Sequence, residues 1–336
     1  MMDRLYCTLS ELIDDLDSTG IKAWKESQVM DKIGAASEWI DRNLGQFIPT
    51  TETRRFDGSG LDDLWVDPLL AVITIVVDST TLQASDYLLY PRNRHWDNGP
   101  YTRIASDPNS TNIGAWPALR DCVAVTGRWG MYERSVQIAA VSSQLIGDMS
   151  LSVSNGAAVS PGMVLLIDDE QEVVTATGAP SDSAANLNGT IDANQEEITL
   201  DNAGMINPNE ILRVDFEQMR ALDTNGNLVL VSRGYNGTKR TTHNTGADVY
   251  VYRTYQVTRG VNGTMAAAHS NASLQRYVAP DDVNGLCRQM AALMLRMAQT
   301  GFSGRVGNAE TGEVSFYKSF PSEIEKIRQA YTLWDI

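Results

Sequence analysis

Apolar residues near the start of the chain recur at helical spacing. Thr8-Leu9-Ser10-Glu11 has the form of a capping box, in which Thr8 accepts from the backbone three residues on and Glu11 reaches back. It predicts a short helix that stops near Gly20. Val29, Ile33, Ala36, Ile40, Leu44 and Phe47 then step by three or four, which places them on one face of a helix over 23–44, closed by Gly45 with Pro49 beyond. From 51 to 140 the texture changes to β-branched and aromatic residues between turns. Leu70 to Val77 predicts a buried strand, and Leu82 to Tyr90 a second that ends at Pro91. Asp97-Asn98-Gly99-Pro100 is a turn, Tyr101 to Ile104 the strand that returns from it, and Cys122 to Gly127 another strand. Between 151 and 277 there is little helical periodicity. It comes back at Pro280-Asp281-Asp282, which opens a helix with acids at its positive end. Val283, Leu286, Met290, Leu293, Met294 and Met297 form its apolar stripe, at core spacing, and Gly301 stops it. Pro321-Ser322-Glu323 starts a last helix carrying Ile324, Ile327 and Tyr331. Helices at both ends and strands between them predict an α+β fold.

The middle of the chain repeats itself. Arg233-Gly234-Tyr235-Asn236-Gly237-Thr238 is followed by His243, and Arg259-Gly260-Val261-Asn262-Gly263-Thr264 by His269. In both copies the histidine falls ten positions after the arginine. A second likeness runs without gaps at an offset of 47, from Leu151–Asp168 to Ile198–Asp215, and continues with Glu170-Gln171 opposite Glu217-Gln218. The second copy runs on into its Arg-Gly-x-Asn-Gly-Thr segment. The first breaks after Gly178, and its missing piece turns up at Tyr255 to Tyr277. Unit two, Glu197 to Tyr252, is therefore expected to be nested inside unit one, Leu151 to Thr177 plus Tyr255 to Tyr277. Two tandem units with a stray hairpin are the alternative. Pairing of Tyr255–Arg259 with the Glu170–Thr177 strand distinguishes them.

Composition narrows the function classes. A length of 336 residues suits two modest domains. The balance of 27 basic and 42 acidic residues, net −15, excludes a general nucleic-acid coat, which needs a basic face. It leaves open a pore through which DNA slides past acidic walls. Cys7, Cys122 and Cys287 are odd in number and far apart, with no zinc-type spacing, which fits a reducing setting. Met1-Met2-Asp3-Arg4 carries no apolar signal region, and the most apolar run, Leu69 to Val77, is too short to span a bilayer, so no membrane partner is expected. The Asn-x-Ser/Thr sequons at Asn188, Asn236, Asn262 and Asn271 fit turn chemistry better than glycosylation.

Asn236-Gly237 and Asn262-Gly263 favour tight turns because both residue types tolerate positive φ. Arg233 and Arg259 are expected to brace those turns through backbone carbonyls, and His243 and His269 to close the same loops. The sharper alternative is a ligand or metal site of the two histidines with Asp168, Asp215, Glu170 or Glu217. One histidine per unit is a poor match to three or four converging ligands, so no metal and no cofactor is expected. Paired acids such as Asp14-Asp15, Asp62-Asp63, Asp168-Asp169 and Asp281-Asp282 invite a sugar-cleaving site, but neighbours in a strand point to opposite faces. No nucleophile elbow or Walker-type loop is present, and no enzymatic activity is expected. The terminal Tyr331, Leu333, Trp334 and Ile336 are the partner-binding candidates, because a terminus rich in large apolar side chains should dock somewhere.

The order of these elements resembles the head–tail connector (adaptor) proteins of long-tailed bacteriophages. The likeness lies in the N-terminal helices, Leu64-Trp65-Val66-Asp67-Pro68-Leu69-Leu70, Asp86-Tyr87-Leu88-Leu89-Tyr90-Pro91, Pro100-Tyr101-Thr102-Arg103-Ile104, Val125-Thr126-Gly127-Arg128-Trp129-Gly130, Ala279-Pro280-Asp281-Asp282-Val283 and Gly301-Phe302-Ser303-Gly304 with the last helix. It covers 1–144 and 278–336, and its order rather than any single motif carries it. It implies a discontinuous helical connector core with a small β element over those residues. Residues 145–277 would form an all-β insertion domain of two related units. It further implies a virion neck protein assembled in the host cytoplasm. Such a protein forms a twelvefold ring, docks on the portal through its C-terminal segment, meets a tail-side neck or stopper protein, and extends the channel through which DNA passes without sequence-specific binding. A tail or baseplate module whose β insertion binds a host glycan is the alternative. It would need clustered exposed aromatics among Phe216, Tyr235, Tyr250, Tyr252, Tyr255 and Tyr277. A glycan-cleaving enzyme would need two facing carboxylates.

Overall fold

The computed structural model describes residues 3–17, 25–94, 96–299, 305–306, 314–315 and 320–333. Helix α1 (Leu9–Asp17) opens with the expected capping box: the Thr8 amide donates to Glu11 Oε2 at 3.0 Å and the Glu11 amide to Thr8 Oγ1 at 3.3 Å. Helix α2 (Glu26–Leu44) ends at Gly45, whose φ of +106° a side chain would not readily adopt. Helices α3 (Asp281–Gln299) and α4 (Phe320–Ala330) come from the other end of the chain, and α3 packs on α1, α2 and α4. The buried side of α3 runs through Val283, Leu286, Cys287, Ala291 and Leu295, whereas Met290, Leu293, Met294 and Met297 are half-buried. The stripe is rotated because small residues make the contact: Ser37 Oγ of α2 lies 3.4 Å from Cys287 Sγ, and Cys7 Sγ lies 3.3 Å from it. Small side chains let helices approach closely and shield their neighbours.

Between the helices lies a six-stranded antiparallel sheet of β1 (Thr50–Phe56), β2 (Asp63–Val77), β3 (Thr80–Thr81), β4 (Tyr87–Tyr90), β5 (Tyr101–Ser106) and β6 (Val123–Trp129), ordered β1-β6-β2-β5-β4 with β3 on β2. It has its own core of Leu64, Leu69, Ile75, Ile104, Trp116, Val125 and Trp129. The strand expected over Leu82 to Tyr90 shrinks to β4, because buried Asp86 accepts from the Gln83 amide, Ser110 and Asn112 and holds the preceding residues in a turn.

The duplicated region supplies twelve more strands. Unit one contains β7 (Ser135–Gln144), β8 (Ser150–Ser152), β9 (Val164–Ile167) and β10 (Glu170–Thr177). Unit two contains β11 (Ser181–Asn186), β12 (Glu197–Thr199), β13 (Ile211–Val214), β14 (Glu217–Asn225), β15 (Leu228–Arg233) and β16 (Asp248–Val251). Unit one then resumes with β17 (Thr254–Thr258) and β18 (His269–Tyr277). The sheets run β7-β18-β9-β10-β17-β8 and β11-β16-β13-β14-β15-β12. Numbered within each unit, both orders are first, sixth, third, fourth, fifth, second. Thr177 pairs with Tyr255 and Val173 with Thr258, and β17 otherwise pairs with β8. The units are therefore nested. Unit two stands where a hairpin turn would join the fourth and fifth strands of unit one, the place held in unit two by the short link at Gly226. Strand β7 pairs with β18 from Ser135↔Tyr277 to Gln144↔His269, so unit one draws its first strand from within 1–144.

The expected helical core with a small β element does not form. Three six-stranded antiparallel sheets dominate, and the four described helices pack on one another around α3. The reason lies in strands without apolar alternation. β1 reads Thr-Thr-Glu-Thr-Arg-Arg-Phe, yet every residue from Thr50 to Phe56 pairs with β6. Backbone pairing and one buried neighbour face suffice, and neither leaves a periodic signal.

Candidate functional site

Each β unit encloses a buried ion cluster built on its Arg-Gly-x-Asn-Gly-Thr segment. In unit two, Gly234, Asn236 and Gly237 all have positive φ (68°, 51° and 73°), which curls the chain so that the Thr241 amide returns to the end of the sheet. Glu217, the first residue of β14, fills the space inside. Its carboxylate accepts from Arg233 Nε and Nη2, both at 2.7 Å, from the Gly234 amide at 3.1 Å and from the Thr241 amide at 2.9 Å. His243 Nε2 lies 3.0 Å from the same carboxylate, and Nδ1 lies 2.7 Å from Asp215. Arg233 spends its other donors on the carbonyls of Asp192, Gln195 and Thr241. The Arg233, Glu217 and His243 side chains are fully buried.

Unit one repeats the arrangement. Gly260, Asn262 and Gly263 have φ of 59°, 52° and 78°. Glu170 accepts from Arg259 Nε at 3.0 Å and Nη2 at 2.6 Å, the Gly260 amide at 3.0 Å and the Ala267 amide at 2.8 Å. His269 stands between Glu170 and Asp168, each at 2.8 Å. Arg259 also donates to the carbonyls of Leu145 and Ala267. The two arginines thus brace backbone carbonyls as expected, but their main partner is a buried glutamate that the repeat displayed only as the Glu of its Glu-Gln pair. The two histidines sit in separate clusters and do not converge.

The clusters are not copies in every detail. Glu172 of unit one stands where unit two has Met219, and Gln144, opposite His269, stands where unit two has Ile191, opposite His243. Gln144 Nε2 donates to Glu172 at 3.2 Å, and Arg259 Nε lies 2.7 Å from Glu172. Burial pushes the Glu172 carboxyl up, against the pull of Gln144 and Arg259. Burial also acts to raise Glu170, but Arg259, the Ala267 amide and His269 outweigh it and hold that carboxyl below its usual range. The ligand atoms of Glu170, Glu172 and His269 lie within 4.8 Å of one another, a spacing a metal could bridge. A metal does not fit there. A carboxylate offers about four lone-pair sites, and those of Glu170 are filled by the guanidinium and two amides.

Burial likewise acts to raise Glu217, and Arg233, His243 and the Thr241 amide overcome it, bringing the carboxyl down from 4.5 to about 2. A depressed carboxyl stabilises the fold above its unfolded value and loses that contribution as pH falls toward the folded one. Glu217→Gln should therefore be destabilised at neutral pH by on the order of 3 kcal/mol. Urea unfolding of both proteins should show that gap closing from pH 4.5 downward and vanishing near pH 2. A gap independent of pH would mean that the ionised carboxylate is not what holds the cluster.

The turns around the clusters serve different ends. In unit two, Asn236 donates to Gln218 at 2.8 Å and Gly237 is exposed. In unit one, Asn262 is buried. It donates to Gln171 and to the Asp3 carbonyl, each at 2.9 Å, and its own carbonyl accepts from the Thr51 amide at 2.8 Å. A Cβ at Gly263 would come within 1.8 Å of the Thr51 carbonyl oxygen. The unit-one turn is thus a plug that joins the N-terminal segment, β1 and unit one.

Of the terminal candidates, Tyr331 is packed within the chain. Its ring meets Phe47 at 5.0 Å and Trp96 at 5.3 Å, and its hydroxyl donates to Asp282 at 3.1 Å. Leu333 is half-buried against the helical core, and Trp334 and Ile336 lie outside the described residues. Among the insertion's aromatics, Tyr235, Tyr252, Tyr255 and Tyr277 are buried and Tyr250 lies under Arg213, which leaves Phe216 alone in solvent. No protein-family model, curated protein or solved structure matches the chain.

Proposed function

We propose that the chain is a structural protein of a phage neck: a ring of copies that docks on the portal, joins the DNA-filled head to the tail and extends the DNA channel. One observation carries the reading. The helices at opposite ends of the sequence pack on one another through α3, and the β module leaves and rejoins the chain between them at a single point. There Ser135 pairs with Tyr277, and the Val278 amide donates to the Arg134 carbonyl at 2.9 Å. An insertion with adjacent ends can be added without disturbing its host. The mechanism is assembly rather than chemistry: both ion clusters are closed and hydrogen-bonded, so they brace loops instead of offering groups to a substrate. The net charge of −15 suits a wall along which DNA slides. The neck of the virion is the location, after assembly in the host cytoplasm, with the portal above and a tail-side stopper below.

Purified protein mixed with cognate portal rings should co-sediment and give ring-on-ring particles in negative stain. Deleting residues 334–336, which leaves Tyr331 and Leu333 in place, should abolish that co-sedimentation. Full-length protein that never binds portal refutes the reading; a truncation that binds normally refutes the terminal anchor alone.

A further inference from the structure

Two of the three cysteines meet inside the helical core. Cys7 and Cys287 are free thiols, both buried, and Cys7 Sγ donates to Cys287 Sγ at 3.3 Å. They are 280 residues apart in sequence, one in the N-terminal segment and one in α3. Cys122 is elsewhere: it stands just before β6, half-buried, with its thiol toward the Leu119 carbonyl at 3.3 Å.

The backbone on both sides of Cys7 is held in place. The Tyr6 amide donates to Ser37 Oγ of α2 at 3.1 Å, and the Tyr6 carbonyl accepts from Asn284 Nδ2 of α3 at 2.8 Å. The Thr8 amide is engaged in the capping box of α1. Asn284 and Cys287 stand three apart on α3 and so share a face. The segment is therefore docked on that face, with one thiol set against the other. The sulfurs must close by about 1.2 Å to reach the roughly 2.05 Å of a disulfide.

Access to the pair is one-sided. A cavity of about 20 Å³ adjoins the N-terminal segment, room for a water-sized molecule. Cys7 is among the residues that line it and Cys287 is not. Glu11, Arg276 and Asn284, all half-buried, line it too, so it lies close beneath the surface.

We infer that Cys7 and Cys287 form a latent disulfide, closed by a peroxide that enters at Cys7, which locks the N-terminal segment to α3. In the first step Cys7 takes one oxygen from hydrogen peroxide to become a sulfenic acid, and water leaves. In the second the Cys287 sulfur displaces that hydroxyl, the sulfur–sulfur bond forms, and a second water leaves. Two thiols lose two electrons and two protons, and one peroxide becomes two waters. The hydrogen bond to Cys287 and burial push the Cys7 thiol well above its usual range. Since the thiolate is the nucleophile, closure is slow and asks for sustained oxidant. The loop it closes holds nearly the whole chain, both β units included, and a cross-link over so long a loop acts mainly by restricting the unfolded chain. The inference stands apart from the neck reading; it needs only that the chain pass from a reducing setting to an oxidising one.

The test starts from the unaltered, reduced protein, treated with hydrogen peroxide while folded, then denatured and alkylated. Peptide mapping by mass, without reductant, should find Cys7 joined to Cys287 and Cys122 outside the link. The melting temperature should rise by about 5 °C or more. Cys287→Ser, treated alike, should show no rise, and its Cys7 should carry a sulfenic acid that dimedone traps. That variant also controls for oxidation of methionines. If it fails to fold, the map and the melting of the unaltered protein still decide. The inference is overturned if Cys7 and Cys287 stay free after Cys122 has been oxidised, if either joins Cys122 instead, or if the link forms and the melting temperature does not move. Dimedone trapped on Cys287 of Cys7→Ser as readily as on Cys7 of Cys287→Ser would overturn entry at Cys7.

Discussion

Arg259→Ala should unfold the middle of the chain, whereas Arg233→Ala should unfold only unit two. Each substitution strips a buried glutamate of its bidentate partner, and a buried charge left without its partner costs about 3–5 kcal/mol. Arg259 leaves two carboxylates, Glu170 and Glu172, so its loss falls at the upper end. The consequences also spread differently. The unit-one turn carries Asn262 into its contacts with Asp3, Gln171 and Thr51, so loosening it frees β1 and the N-terminal segment as well. The unit-two turn closes on its own Gln218. Hydrogen exchange should show amides of β9, β10, β17 and β18 losing protection in Arg259→Ala, and only those of β13 to β16 in Arg233→Ala. Loss of protection across both units in Arg233→Ala would mean that the two sheets fold as one cooperative body.

Replacing residues 179–253 by Asn-Gly should give a chain that still folds. The Gly178 amide donates to the Thr254 carbonyl at 2.8 Å and Thr177 pairs with Tyr255, so the ends left by the excision already stand at hairpin distance. Asn-Gly supplies the positive φ that a two-residue turn demands. Unit two takes its core with it, since Leu212, Val214, Met219, Val231, Val249 and Val251 pack among themselves. The loss to the remainder is confined to contacts such as Arg220 with Asp14 and Glu210 with the Gly156 amide. Thermal melting should place the shortened protein within about 3 °C of the original, roughly 1 kcal/mol for a chain of this length. A shortened chain with no cooperative transition would show that unit two is a structural member rather than a guest.

Much of this was open to sequence, for a physical reason that also marks where it stopped. Helix α2 announces itself because Val29, Ile33, Ala36 and Ile40 must share a face, a local rule. The nesting was legible because a duplication with one piece out of place leaves its gap and its remainder in the text. The first sheet was not, since β1 is polar along most of its length, and β7 has no visible likeness to β11 although both hold the same place. The clusters were half legible. Arg, Asn-Gly and His stood out by repetition, and the turn geometry followed from residue type. That Glu170 is the buried centre depends on an arginine 89 residues away, and a glutamate at a strand start otherwise reads as solvent-facing. The C-terminal side chains show the same limit. Large apolar residues there demanded a partner, and for Tyr331 it turned out to be Phe47 and Trp96 of the same chain.

Nesting also decides how the molecule would carry load. A pull applied between the two ends of the chain enters unit one through β7 and β18, which lie side by side. Along the backbone it reaches unit two only past Thr177 and Tyr255, where the two strands that lead into the guest are clamped to each other. Unit one must be torn open before unit two feels tension, so the inner sheet is shielded and the outer one acts as its fuse. Two tandem units would have shared the strain in series. That order of failure keeps the inner sheet intact until the outer one has given way.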